Sequence, residues 1–210
     1  MSTIEETPLR ELEETALERT TQLLHSSEVE RMVFTSEGDD PVSIEILIGK
    51  AADSDGHILL STFGLGGSTT TGQVNIDEDG EFEYRTEFFS LASNLTDAYK
   101  LAEVLAKLAF IVDNSTDPLL PGMILGGILP EEDKLNRISL SDAPIGVHAG
   151  HRLPPVVTKD FAVFWTAVTL VTDDEAQLVS TGEEGWNEFQ EFLTKLDIGA
   201  YDLDRKTLSK

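Results

Sequence analysis

The residues best suited to chemistry by type and spacing are His148 and His151, separated by Ala149 and Gly150. Two imidazoles this close could supply part of a metal site and so serve a metal-dependent hydrolase. Such a site needs at least one further ligand, and Gly150 disfavours the helix that usually presents a histidine pair. Ordinary loop histidines are the simpler reading. The glycine-rich run from Gly64 to Gly72, GLGGSTTTG, invites a phosphate-binding assignment and does not sustain it. Gly67 and Gly72 have P-loop spacing, but Gln73 and Val74 stand where Lys and Ser/Thr should follow. Thr69 occupies the third glycine of a dinucleotide fingerprint, and Thr70 the second glycine of a nucleophile elbow. The DEDG turn at Asp77 to Gly80 lacks the bidentate Glu of a calcium loop, because Thr86 stands in its place. The chain has no cysteine, and therefore no thiol nucleophile, thiolate metal site or disulfide. No catalytic residue, metal or cofactor is expected.

What remains is charge. Its 39 acidic and 15 basic residues give a formal charge of -24. A field of that sign repels phosphate backbones and anionic lipid, so neither nucleic acid nor a membrane surface is an expected partner. It speeds encounter with a basic protein, such as a nuclease whose own substrate is polyanionic. A solubilising surface is the simpler use of the same charge. Two local rows are the candidate partner-binding residues: Glu83, Arg85 and Glu87, alternating along a strand, and the consecutive Asp173, Asp174 and Glu175.

The elements that must carry these residues can be read from periodicity. Phe82, Tyr84, Thr86 and Phe88 fall on one side of a strand and Glu83, Arg85 and Glu87 on the other, which predicts a half-buried strand with a charged solvent face. Asn94 with Asp97 marks a helix start, and Ala98, Leu101, Ala102, Leu105, Leu108, Ala109 and Val112 repeat at helical spacing. Val104, Phe110 and Ile111 widen that stripe, so this helix should lie across a sheet with several neighbours. Before it come a helix from Thr7 and Pro8 to near His25, a short strand at Met32 to Thr35, and a strand with Ile44, Ile46 and Ile48 on its buried face. That strand should pair antiparallel with His57 to Phe63 across the Asp55-Gly56 turn. Val74 to Ile76 should form a hairpin with the strand from Phe82. After the helix, Pro118, Pro121 and Gly122 bend the chain towards Met123 to Leu129, and Arg137 to Leu140 reads as a short strand. Phe161 to Val171 is apolar on both faces, as a central strand should be. The acids at Asp173 to Glu175 and at Glu183 suit helix starts, and Trp186, Phe189, Leu193 and Leu196 line the inner side of a last helix. Asp204 and Arg205 are expected to tie the polar tail down by a surface pair.

A chain of 210 residues without a linker-like stretch suggests one domain over 1–210, with a helical segment at 1–30 and a polar tail at 202–210. No run of 18 apolar residues occurs, and Glu5, Glu6 and Glu11 replace the basic opening of an export signal, so a cytoplasmic protein is expected.

The order of these motifs resembles the suppressor-of-fused (SUFU) family, in particular its bacterial single-domain members. The resemblance runs from about residue 40 to 206. It rests on Ile44 to Ile48, Leu60-Ser61-Thr62-Phe63-Gly64-Leu65, Tyr84-Arg85-Thr86-Glu87, the helix with Pro121-Gly122 after it, and Val168 to Glu175 followed by Gly185 and then Asp204-Arg205. It implies an α/β (α+β) domain, a twisted, mixed and largely antiparallel sheet with helices packed on it, and no enzymatic activity. Animal members sequester a transcription factor, and many bacterial members look like immunity proteins or antitoxins. The implied role is therefore neutralisation of a cognate, basic toxin by binding, with an adaptor or scaffold lacking any toxin as the alternative.

Overall fold

Alternation of Ile44, Ile46 and Ile48 with Ser43, Glu45 and Leu47 produces the strand it predicts, and this strand shows how the whole sheet is built. In the computed structural model the described residues are 29–37, 41–50, 57–65, 72–75, 81–113, 119–142, 155–157, 161–195 and 202–208. They form β1 (Glu30–Thr35), β2 (Ser43–Lys50), β3 (Ile58–Phe63), β4 (Gly72–Asn75), β5 (Glu81–Ala92), α1 (Leu95–Asp113), β6 (Ile124–Leu125), β7 (Arg137–Ser141), β8 (Val156–Val157), β9 (Phe161–Val171), α2 (Asp173–Val179) and α3 (Glu183–Lys195). The nine strands make one sheet in the order β1-β2-β3-β5-β9-β7-β6, with β4 beside β5 and β8 beside β9. The expected β2–β3 and β4–β5 pairings are present and antiparallel. Among the described residues β5 and β9 are the parallel pair, in register from Glu83 opposite Phe161 to Phe89 opposite Ala167. The remaining pairings are antiparallel, so the sheet is mixed and largely antiparallel, as expected.

α1 crosses one face of this sheet. Its start is built as Asn94 and Asp97 predict: the Asp97 amide donates to Asn94 Oδ1 at 2.9 Å, and Asn94 Nδ2 donates to Asp97 Oδ2 at 2.9 Å. The first contact satisfies an amide that a helix start leaves without an intrahelical partner, and the second holds the two side chains together. Leu101, Leu105, Leu108 and Val112 then bury against Ile46, Leu60, Phe88, Ile138 and Leu140 in the main apolar cluster. Ile111 departs from the expected stripe and is 40% exposed. The helix turns 100° per residue, and a stripe widened to Ile111 passes beyond the arc that the sheet can cover.

The other face of the sheet is buried as well. Leu47, Leu59, Phe89, Leu91, Val163 and Trp165 are all nearly inaccessible, and the registers place Leu47, Ser61, Phe89 and Ala167 side by side on it. Phe88 and Phe89 are thus each fully buried on opposite faces of β5, worth about 1.5–3 kcal/mol apiece. β9 is the doubly buried central strand predicted from its sequence.

The prediction for β5 is corrected here. Arg85 and Glu87 were expected on a solvent face and are 7% and 2% exposed. β5 is an interior strand, flanked by β3 and β4 on one side and by the parallel β9 on the other, and both its faces are covered. The helix expected from Thr7 to His25, most of the glycine-rich run, the turns at Asp55-Gly56 and Asp77–Gly80, the His148/His151 loop and Leu196 lie outside the described residues.

Candidate functional site

The two charged rows singled out by the sequence sit on different elements, the first along β5 and the second at the start of α2. In the β5 row, Arg85 stands opposite Val163 and Glu87 opposite Trp165. The Thr62 hydroxyl on β3 donates to Glu87 Oε2 and accepts from the Phe88 amide at 2.8 Å. Next to them the Trp165 Nε1 proton finds no hydrogen-bond acceptor among the described residues. Glu83 pairs with Gln73 and Phe161 through the sheet, and its side chain lies outside the described residues.

The second row opens α2, where β9 leaves the sheet. Thr172 caps this helix in extended conformation; its hydroxyl accepts from the Glu175 amide at 3.2 Å, and Glu175 Oε2 accepts from the Thr172 amide at 3.0 Å. This is a reciprocal capping box, and the Thr172-Asp173-Asp174-Glu175 run carries its S/T-x-x-E signature. The capping geometry separates the three acids. Asp173 is exposed, Asp174 half-buried and Glu175 fully buried. Arg137 Nε donates to Asp173 Oδ1 at 2.5 Å, and this hydrogen bond holds the Asp173 carboxyl below the usual range against the opposing effect of partial desolvation.

Glu175 faces inward to Arg205. The guanidinium donates from Nη1 to Oε1 at 2.6 Å and from Nη2 to Oε2 at 2.7 Å, and Nη2 also reaches the Leu170 carbonyl at 3.0 Å. It lies over the Phe189 ring, 5.6 Å from the centroid. The expected Asp204–Arg205 surface tie is therefore corrected: Arg205 is 2% exposed and its carboxylate partner is on α2, thirty residues away in sequence. A fork-shaped guanidinium suits this bidentate, partly stacked position better than an ammonium would. Among the described residues Arg205 Nε has no acceptor.

Gly185, noted in the sequence for its place after the acidic segment, allows α2 and α3 to approach. A Cβ there would stand 1.9 Å from the Leu178 carbonyl oxygen. Gly182, in the turn between the helices, has φ +96°, which L side chains rarely adopt.

A groove of about 390 Å³ lies between α1, the segment before β7 and the C-terminal residues. Val104, Leu135, Leu170 and Leu203 line it together with Lys100 and Lys107. Sequence reasoning did not find it, because its walls come from four stretches that are distant along the chain. Among the described residues no group of His, Asp or Glu is arranged to hold a metal, and no helix is long and apolar enough to cross a membrane.

No protein-family model matches the chain, and no curated protein matches it. Solved structures do. A SUFU homologue from Neisseria gonorrhoeae aligns with 96% of this chain and 99% of its own length, at 14% identity and TM-score 0.61. The chain has a suppressor-of-fused-like fold. The Sufu protein of a Sufu–Fu complex aligns with 92% of this chain and 90% of its own length, at 14% identity and TM-score 0.57. Drosophila Suppressor of Fused aligns with 91% of this chain but 50% of its own length, at 15% identity and TM-score 0.56. The SUFU-like unit here thus spans about half of the Drosophila protein.

Proposed function

We propose that this SUFU-like chain is a non-enzymatic, cytoplasmic binding protein that acts as an immunity protein or antitoxin, covering the active surface of a basic toxin domain. The observation that carries the binding role is the fold, shared with a Sufu protein that is known in complex with Fu. The charge of -24 supports a basic partner. Of the proposed contact residues, Asp173 and Asp174 have the accessibility that docking needs, while Arg85, Glu87 and Glu175 would contribute from beneath the surface.

The test is co-expression and affinity capture with the product of the neighbouring reading frame. A cognate toxin should be captured, cells should be protected, and affinity should fall with added salt and further with Asp174→Lys. Capture of no toxin and absence of protection would remove the immunity reading. Capture of a non-toxic partner instead would favour an adaptor.

A further inference from the structure

The C-terminal segment is packed into two separate apolar clusters. Leu203 packs against the large cluster beneath α1, and Leu208 against a separate cluster of Val171, Ala176, Val179, Phe189 and Leu193. Between them Arg205 binds α2 through Glu175, β9 through the Leu170 carbonyl and α3 through the Phe189 ring. Its backbone carbonyl accepts from Lys134 Nζ at 2.7 Å, and the Leu208 amide donates to Glu175 Oε1 at 3.3 Å. Leu203 and Asp204 also line the groove beside α1.

We propose that residues 202–208 form a strap, and that the strap, α2 and α3 open from the sheet as one cooperative unit that the Arg205–Glu175 pair latches shut. Two features make the unit cooperative. α2 and α3 are joined by one apolar cluster, which docks on Val171 of β9 and is distinct from the cluster under α1, and contiguous units of this kind open sub-globally in native proteins. A buried ion pair cannot be half broken, because the charge left behind has neither water nor partner. Release of the strap therefore withdraws the counter-charge of the α2 cap, the cation over Phe189 and the Leu208 contact together. It also removes Leu203 from the groove. This device is independent of whether the partner is a toxin.

Hydrogen exchange of the intact chain, followed by mass spectrometry across low denaturant concentrations, tests it. In the wild type, amides of 172–195 and of Leu208 should share one opening and exchange about tenfold or more faster than those of β5 and α1. Arg205→Lys keeps the charge and loses the fork, and should speed exchange in that set by a further tenfold or so while leaving β5 and α1 unchanged. The proposal is overturned if wild-type α2 and α3 exchange only with the core. It is equally overturned if Arg205→Lys speeds the strap alone or speeds nothing. Should that variant not fold, the wild-type profile decides by itself.

Discussion

The β5 row and the start of α2 are alike in sequence, short runs of charge beside apolar stretches, and the fold uses them differently. In β5 the alternation holds, with Arg85 and Glu87 on one face and Thr86 and Phe88 on the other, yet the charged face is buried beside Trp165. At α2 three consecutive acids diverge within one turn: Asp173 outward to Arg137, Asp174 half-buried, Glu175 inward to Arg205. Periodicity tells which side chains share a face. Whether that face is wet depends on what the chain places over it, and on which ion pairs it can bring there.

The largest effect is expected at Arg205. Arg205→Ala leaves Glu175 buried without its counter-charge and should cost about 3–5 kcal/mol in chemical unfolding. Arg205→Met together with Glu175→Leu should recover part of that loss, because an apolar replacement of the pair strands no charge, although the Thr172 and Leu208 amides lose Glu175 as acceptor. If Arg205→Ala costs less than about 1 kcal/mol, the pair is solvated and Glu175 is not set apart from its exposed neighbour Asp173.

The β5 row should respond less. Thr62→Val removes the hydroxyl that bridges Glu87 and the Phe88 amide, and a loss of about 1–3 kcal/mol is expected, chiefly from the buried Phe88 amide that loses this acceptor. A neutral result in the same unfolding measurement would mean that water reaches this face.

The smallest effect is at Asp173. Its carboxyl is held below the usual range by Arg137, so the pair's contribution is present above the ordinary Asp value of about 3.9 and fades as pH falls through the lowered value. An NMR titration should place the midpoint below that of an unperturbed Asp, and Arg137→Gln should move it upward. An unchanged midpoint in Arg137→Gln would show that the exposed acids of α2 have no fixed partner.

Much of the frame was legible along the chain. The Asn94/Asp97 helix start, the buried Ile44, Ile46 and Ile48, the antiparallel β2–β3 pair and the doubly buried β9 follow from spacings of two to four residues. The candidate site was legible only in its parts. Asp173, Asp174 and Glu175 stood out as acids, and Thr172 carries the capping-box signature, but neither the Glu175–Arg205 pair nor the groove has a local pattern.

By itself the sequence determined the strand and helix faces, the caps and the sign of the surface field, because these depend on near neighbours and on net charge. The tertiary structure alone decided that β5 lies inside the sheet against β9, and that Arg205 returns from the C-terminal segment to Glu175. Both are long-range contacts. A charge carries no mark of its burial until the chain brings a partner or a cover to it from far away in sequence.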